Sequence, residues 1–329
     1  MIYNQWYIVL ESKELQKTRP LKLKRFNEHL AMWRDKANSV CCISDTCCHR
    51  GVSLSCGKIK NGNLECPFHG FIFDKSGAVA SIPANGKNNP VPKIMKVKSY
   101  KTYEAYGFIW IWWGDDDKVT GKPFFFKELE DFSFSSFKDH WNVHYSRAIE
   151  NQLDVVHLPF VHRSTIGRGN KTLINGPVVI RDNELITFYV NNVKDDGNTS
   201  PLKPDEIKDY QNFFHLQFHY PNIWHNFISE KIRAFAAFVP VDEENSIVYI
   251  RYYQNLMKIT FLKQIVNFLG IISSMFILRQ DKRIVETQLP KKSYFRMKEQ
   301  LITGDRPIIE YRKHRQELIY KNSMAIKNE

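Results

Sequence analysis

Short apolar runs broken by turn signals fill the N-terminal third of the chain. Asn61-Gly62-Asn63 and Asp74-Lys75-Ser76-Gly77 are two such turns, and this punctuation is typical of short β-strands. An aromatic run with Trp110, Trp112 and Trp113 predicts a last strand, which the acidic turn at 114–117 ends. We therefore expect a small all-β domain over residues 1–114.

From residue 115 to 329 the pattern mixes strands with helices. A chain of 329 residues with 43% hydrophobic content can form two cores, so an α+β domain is expected after the β domain. The apolar pattern predicts strands over Ile180–Val190, Phe213–Phe218, Ala234–Val239 and Ile247–Tyr253. We see no internal repeat and no long linker.

The most apolar stretch, Ile259–Leu278, approaches the ~20 residues of a membrane span. Polar residues interrupt it, and its apolar positions recur at helical spacing. We favour a packed amphipathic helix over a membrane-surface helix or a true span. The apolar positions of this stripe are 261, 262, 265, 266, 269, 272 and 276.

All six cysteines lie between residues 41 and 66, and two of them belong to a motif. Cys47-x-His49 and Cys66-x-x-His69 offer two thiolates and two imidazoles. A Cys₂His₂ zinc site usually combines a Cys pair with a separate His pair, whereas here each pair is mixed. This arrangement suits a [2Fe–2S] cluster with two cysteines on one iron and two histidines on the other.

The four remaining cysteines are Cys41, Cys42, Cys48 and Cys56. We interpret them as small, half-buried hydrophobic residues. The chain shows no secretory signal, and free thiols beside an iron–sulfur cluster indicate a reducing cytoplasm. We expect no disulfide framework and a cytoplasmic location.

A second group of ligand-type residues follows the pattern D-x-x-H-x₄-H, with Asp154, His157 and His162. Pro159 lies between the histidines and breaks or bends a helix, so both imidazoles can turn onto one ion. Two histidines and one carboxylate on one face of an iron(II) leave the other face open. One such histidine alone is more often a hydrogen-bonded core residue.

Together the two motifs resemble the catalytic subunit of Rieske non-haem iron oxygenases, over nearly the whole chain. The short monooxygenase or demethylase type is the most similar. The resemblance implies a Rieske domain over 1–114 and a catalytic domain over 115–329 with an antiparallel sheet flanked by helices, the helix-grip or START-like fold. It implies one [2Fe–2S] cluster on Cys47, His49, Cys66 and His69, and one mononuclear non-haem Fe(II).

The third iron ligand is implied to be Asp281, at the start of an apolar-periodic segment near the C-terminus. The alternative is that Asp281 pairs with Lys282 or Arg283, as is common in a charge run. The segment Asp242–Glu244 looks like a solvated turn. Asp154 is implied to be a catalytic bridge that hydrogen-bonds His157 to a cluster histidine of a neighbouring subunit in a homotrimer.

The formal net charge of +12 invites a nucleic-acid interpretation, but no nucleic-acid-binding motif supports it. Solvated surface explains the charge, and attraction of an acidic electron-donor protein is a second possibility. The chain has no Gly-rich dinucleotide fingerprint, so we expect a separate ferredoxin or NAD(P)H-dependent reductase.

The resemblance implies hydroxylation or oxidative demethylation of a small hydrophobic or aromatic substrate by O₂. A cis-dihydroxylating aromatic ring dioxygenase is the alternative, and a Rieske electron-transfer protein is a distant one. Several aromatic residues and histidines could be core or pocket wall: Phe213, His215, Phe218, His219, Trp224 and Phe227.

Overall fold

The computed structural model describes residues 1–86, 89–212, 214–257 and 259–327, with side chains as far as residue 321. Two compact units divide the chain, Met1–Pro123 and the part from Phe124 onward. The division expected from the sequence at residue 114 stays a prediction.

Ten short strands lie in the described part of the first unit, as the turn pattern predicts. They form a sheet of order β1-β10-β9, a sheet β2-β3-β4 and a sheet β5-β6-β7-β8, with antiparallel pairing throughout. The strands are β1 Gln5–Glu11, β2 Leu21–Arg25, β3 Glu28–Arg34, β4 Val40–Ser44, β5 Lys58–Lys60, β6 Asn63–Glu65, β7 Ile72–Phe73, β8 Val79–Ser81, β9 Thr102–Ala105 and β10 Phe108–Trp113.

A hydrophobic core in this unit holds the bases of two loops. Trp33, Leu54, Leu64 and Phe73 are fully buried there together with two motif cysteines. One loop follows β4, and the other joins β6 to β7. The core therefore anchors the two halves of the Cys/His motif against each other.

In the second unit, the described residues form a seven-stranded antiparallel sheet with four helices. The strand order is β11-β17-β16-β15-β14-β13-β12. The strands are β11 Ser133–Trp141, β12 Leu173–Asp182, β13 Leu185–Val193, β14 Phe214–His219, β15 Ile223–Ser229, β16 Ile232–Pro240 and β17 Ser246–Gln254, and the helices are α1 Tyr145–Leu153, α2 Leu158–Val161, α3 Thr260–Val285 and α4 Arg306–Lys327. The expected antiparallel sheet flanked by helices is confirmed.

Short 3₁₀ segments connect these elements at Ser12–Glu14, Leu54–Cys56, Pro83–Asn85, Asp116–Lys118, Lys127–Leu129, Pro204–Glu206, Tyr210–Asn212 and Thr303–Asp305. Helix α1 packs on β16 and β17, α3 on β11 and β17, and α4 on β12.

One predicted strand was wrong in its bounds. The stretch Ile180–Val190 contains the turn of a hairpin between β12 and β13. Asn183 lies in this turn with a positive φ of 50°, a conformation that asparagine tolerates better than most residues. The predicted strand over Phe213–Phe218 is found as Phe214–His219; Phe213 itself lies outside the described residues.

The helix predicted over Ile259–Leu278 exists as part of α3, but its predicted packing was wrong. Most of the apolar stripe points away from the sheet, and Phe261 and Phe276 are 68% and 59% exposed. The side chains that α3 buries are Asn267, Leu278, Asp281 and Val285. Among the described residues, α3 is the one helix long and apolar enough to cross a membrane.

Candidate metal centres

Two loops of the N-terminal unit have the same backbone geometry. In the first, the Gly51 N–H donates to the Cys47 carbonyl at 2.9 Å, and in the second the Gly70 N–H donates to the Cys66 carbonyl at 3.1 Å. The two glycines have φ values of 72° and 70°, which glycine adopts at little cost. Gly51 and Gly70, which follow the two Cys/His pairs of the motif, therefore close two turns of the same geometry.

These turns bring the four predicted cluster ligands together. The sulfurs of Cys47 and Cys66 lie 3.6 Å apart, and the rings of His49 and His69 have centroids 4.7 Å apart. Two thiolates at ~2.3 Å from one tetrahedral ion lie about 3.8 Å from each other, so the thiol spacing fits a shared iron. The residues present fit a [2Fe–2S] cluster with two sulfur and two nitrogen ligands.

The protein environment differs between the two ligand pairs. Both cysteines are buried and both histidines are exposed. Burial raises the pKa of the free Cys47 thiol to about 11, so in the absence of iron this thiol stays protonated. The ring of Phe71 stacks on His49 at 4.7 Å and covers one face of that imidazole.

The four surplus cysteines are divided in the same way. Cys41 and Cys42 are buried, whereas Cys48 and Cys56 are exposed. The expectation of half-buried side chains was therefore wrong for Cys48 and Cys56, which lie on turns at the surface. All six cysteines are free thiols.

In the second unit, a break between two helices positions the histidines. Helix α1 ends at Leu153, and the Asp154 carboxylate accepts the backbone N–H groups of Val156 and His157 at 2.7 and 3.2 Å. Pro159 then occupies the first turn of α2, where proline is well tolerated. His157 and His162 flank this short helix, and the Pro-containing break turns both rings toward one point.

Three side chains converge at that point. His157 Nε2 and His162 Nε2 lie 3.3 Å apart, and Asp281 Oδ1 lies 3.3 Å and 2.9 Å from them. Ligands held ~2.1 Å from an ion at right angles to each other lie about 3 Å apart. Two imidazoles and one carboxylate with this spacing fit the facial triad of a non-haem iron(II) site.

The electrostatics of this group favour a positive charge. Burial acts to lower the pKa of His157, but the Asp154 and Asp281 carboxylates overcome it and raise that pKa to about 9. Burial acts to raise the pKa of Asp281, but His157 and His162 lower it to about 2. A buried pocket that attracts a proton so strongly also attracts a metal cation.

Asp281 is held by more than the histidines. It is 2% exposed, and the Asn151 and Gln152 side-chain amides donate to its two oxygens at 3.3 Å each. Lys282 pairs instead with Asp139 at 3.0 Å. The structure therefore does not show the alternative surface pairing of Asp281 with Lys282.

Gln280 has a contact that the sequence analysis missed. Its Oε1 lies 2.8 Å from His162 Nδ1 and also accepts from the Thr165 hydroxyl at 3.2 Å. An acceptor on Nδ1 places the ring proton there and leaves Nε2 free as a ligand. The position directly before Asp281 was the available signal, since α3 carries both side chains to the same site.

Asp154 and Asp242 are placed differently. Asp154 Oδ2 lies 3.6 Å from His157 Nδ1, on the side of that ring opposite Nε2. Asp242 is half-buried in a turn whose other two acidic residues, Glu243 and Glu244, are exposed, and its carboxylate accepts from the Asn245 side-chain amide at 2.8 Å. The solvated turn at 242–244 is confirmed.

A cavity of about 660 Å³ adjoins the histidines and Asp281. Alternate residues line it, Phe214 and Leu216 from β14 and Trp224, Asn226 and Ile228 from β15, as expected where one face of a strand points to the cavity. Asn192 and Asn226 also line the cavity, and the side-chain Oδ1 atom of each is buried without a hydrogen-bond partner among the described residues. Its apolar wall includes Val155, Leu158, Val190, Phe214, Leu216, Trp224, Ile228, Ile250, Ile277 and Leu278.

Of the six aromatic and histidine candidates, Trp224 lines this cavity. Phe218 is fully buried, His219 stacks on Phe124, and His215 stacks on Phe227. The sequence analysis missed the alternate positions 214, 216, 226 and 228, which strand periodicity could have indicated.

Comparison with known proteins agrees with this architecture. The Rieske [2Fe-2S] domain family matches residues 5–101, and the Vanillate O-demethylase oxygenase C-terminal domain family matches residues 141–321. The structure of NdmA from Pseudomonas putida CBB5 superposes with a TM-score of 0.80 at 24% identity, covering 96% of this chain and 90% of that one. Dicamba monooxygenase bound to dicamba gives a TM-score of 0.79 at 19% identity, with 98% and 99% covered.

Curated relatives match over shorter stretches. The vanillate O-demethylase oxygenase subunit of Pseudomonas sp. (strain HR199 / DSM 7063) is 30% identical over 198 residues, which are 58% of this chain and 53% of that protein. Chloroplastic chlorophyllide a oxygenase of Chlamydomonas reinhardtii is 35% identical over 167 residues, 50% of this chain and 25% of that protein. The chain thus spans about half the length, or less, of these relatives.

The fold and the two ligand groups are those of the Rieske non-haem iron oxygenase class. The chain belongs to the family with the vanillate O-demethylase oxygenase C-terminal domain, which matches more than half of it. The cofactors of this class are a Rieske [2Fe–2S] cluster and a mononuclear non-haem iron.

Proposed function

We propose that the protein is the terminal oxygenase component of a multicomponent monooxygenase or demethylase. The observation that carries this proposal is the convergence of His157, His162 and Asp281 at one side of an apolar cavity. When bound, the cluster supplies single electrons and the mononuclear iron supplies the activation of O₂. Cys47, His49, Cys66 and His69 would hold the cluster, and the triad would hold the iron.

The cavity wall supports a small, largely apolar or aromatic substrate. Phe214, Trp224 and Ile250 would pack on the substrate and exclude water from the reacting carbon. The free Oδ1 atoms of Asn192 and Asn226 would accept hydrogen bonds from a polar group and orient the molecule. If the reacting carbon is an O- or N-methyl group, its hydroxylated form releases formaldehyde and leaves the demethylated product.

The relatives support the expected partners. The vanillate O-demethylase relative is named as an oxygenase subunit, which fits electron supply from a separate reductase or ferredoxin. We propose a homotrimer in which Asp154 lies between His157 and a cluster histidine of the next subunit. The bacterial relatives suggest a soluble enzyme, and we propose a cytoplasmic location.

Isotopically labelled O₂ tests the activity. The purified protein, a surrogate reductase and NADH are incubated with a panel of methoxylated and N-methylated aromatic compounds, and products are read by mass spectrometry. We expect gain of one labelled oxygen or loss of one methyl group, neither of which the Asp281→Asn variant should give. Gain of two hydroxyl groups would indicate the dihydroxylating alternative instead. In a demethylation the labelled oxygen leaves with the formaldehyde, so the control there is a reaction without O₂. A hydroxylated product that carries no label, or loss of a methyl group without O₂, would contradict an oxygenase.

A further inference from the structure

Helix α3 carries its apolar side chains on the wrong side for a helix of an isolated soluble protein. A surface helix normally turns its apolar stripe to the core and its polar residues to water. Here Phe261, Phe268, Leu269 and Phe276 are 59–68% exposed. At 100° per residue they fall, with Ile265 and Ile272, within an arc of about 100°.

The opposite face of α3 is firmly packed on the sheet. A Cβ at Gly270 would lie 2.2 Å from the Tyr252 ring, and Asn267 is within 3.4 Å of the Ser133 hydroxyl. Farther along the same face, Asp281 reaches the candidate iron site. The helix therefore cannot leave the sheet to span a membrane without dismantling that site.

The residues just before α3 extend the apolar surface. Leu256, Met257 and Ile259 are all exposed. Together with the outward stripe, these described residues between 256 and 276 form an exposed apolar ridge, and its helical part from 260 to 276 alone is about 25 Å long. Solvent-exposed apolar ridges of this size mark interaction surfaces.

The charge around the ridge favours an anionic occupant. The sequence contains no Asp or Glu between Glu244 and Asp281, whereas Lys263, Arg279 and Arg283 lie along α3. The whole chain carries +12, so a second copy brought onto the ridge would meet like charge. Amphipathic helices with aromatic and aliphatic residues on one face and basic residues beside them bind in the plane of anionic membranes.

We propose that the ridge 256–276 docks the protein on the surface of an anionic phospholipid bilayer, with α3 lying in the interface plane. The inner face of the same helix lines the cavity through Ser274, Ile277 and Leu278. A lipophilic compound that leaves the bilayer would then meet the protein at the helix that bounds its cavity.

Vesicle co-sedimentation tests this docking without any enzyme assay. Holoenzyme is mixed with vesicles of phosphatidylcholine containing phosphatidylglycerol, and the bound fraction is compared with that of Phe261→Ser/Phe268→Ser. Both rings are exposed, so the variant should fold normally, as circular dichroism and the cluster spectrum will check. We expect its partition coefficient to fall at least about tenfold.

The matched control is Ile94→Ser/Leu202→Ser, which removes two exposed apolar side chains elsewhere (83% and 45% exposed) and should bind vesicles like the unchanged protein. Absence of vesicle binding, or equal binding by the Phe261→Ser/Phe268→Ser variant, would overturn the proposal. Sedimentation velocity tests the alternative that a second copy of this chain covers the ridge. If the Phe261→Ser/Phe268→Ser variant binds vesicles as the unchanged protein does but dissociates from an oligomer, the ridge is an interface between copies of this chain.

Discussion

The four cluster ligands divide between core and surface. Cys47 and Cys66 belong to the hydrophobic core of the N-terminal unit, while His49 and His69 are exposed. As the proposed ligands, the thiols would hold one iron within the fold, and the imidazoles would hold the other at the protein surface. An exposed imidazole edge is where an electron donor or a neighbouring subunit can make contact.

Replacing one core thiol should remove the cluster. We expect Cys66→Ser to abolish the visible absorption of the cluster because a serine hydroxyl is a poor substitute for thiolate in a Cys₂His₂ site. Cys56→Ser is the matched control, since Cys56 is an exposed free thiol and should leave the spectrum unchanged. Loss of the spectrum in both variants would mean that Cys56 has a role that its position does not indicate.

Gln280 should set the iron affinity through His162. Gln280→Leu removes the acceptor on Nδ1, and loss of such a partner typically costs 10–100-fold in metal affinity. Iron titration of the cluster-loaded protein measures this, with Gln264→Leu on the exposed face of the same helix as control. Gln280→Glu retains an acceptor and should restore tight binding; equal affinity in all variants would show that His162 needs no such partner.

The spacing of cysteines and histidines predicted the mixed Cys/His pairs and the His157/His162 pair, because neighbours within a loop or a broken helix stay close after folding. Asp281, which reaches the histidines from a distant helix, was predicted from the family resemblance alone. Contacts between distant segments carried no such signal. Gln280 meets His162 across 118 residues, and Asn192 and Asn226 share a cavity because the sheet places β14 between their two strands. Their roles depend on tertiary packing that a single sequence does not show.

At the scale of elements, the residue that caps the N-terminus of α1 is a buried histidine, His144, whose imidazole can titrate. His144 accepts the Ser146 backbone N–H at 3.3 Å and is 1% exposed. Burial, and then the charges of Arg315 and Lys292, lower the pKa of His144 to about 2, despite the opposing effect of Asp242. In the unfolded chain the pKa of a histidine is near 6.5.

This difference makes folding depend on pH. Below about 6.5 the unfolded chain binds a proton at His144 that the folded protein does not, so stability is lost as pH falls, by ~1.4 kcal/mol per pH unit. His144→Asn keeps a capping acceptor without the titration. Between pH 7.5 and 5.5 the unchanged protein should lose about 1.4 kcal/mol more than the variant in urea unfolding.

The control for this measurement is His29→Asn, at an exposed histidine of the other unit, which should reproduce the behaviour of the unchanged protein. If His144→Asn loses as much stability on acidification as the unchanged protein does, His144 is not the residue responsible.

Helix α3 shows what periodicity can and cannot predict. The apolar spacing correctly predicted a helix. Periodicity shows that the apolar residues share one face of the helix, but it does not show whether that face or the opposite one packs on the sheet. Small and polar residues on the other face, Gly270 and Asn267, make the closer contacts with the sheet. The inward face was therefore assigned wrongly.

At the scale of the whole molecule, the proposed trimer depends on Asp154. A head-to-tail contact that closes on itself forms a ring, and Asp154 lies beside His157 without being one of the converging ligands. Asp154→Asn should therefore keep its full iron content while turnover with a surrogate reductase falls by orders of magnitude. Asp209→Asn, at an exposed loop position, is the control.

Sedimentation velocity of the unchanged protein accompanies that assay. We expect a trimer at assay concentrations. A fully active monomer, or unchanged turnover in Asp154→Asn, would show that no bridge between subunits is needed.

Iron and acid-labile sulfide counts test the two-site account most directly. The purified protein should contain about three irons and about two sulfides per chain. Asp281→Asn should contain about two irons with the sulfide count and cluster spectrum unchanged, whereas Asp242→Asn, in the solvated turn, should retain about three. Stoichiometric zinc without cluster absorption, or a third iron that persists in Asp281→Asn, would contradict the account.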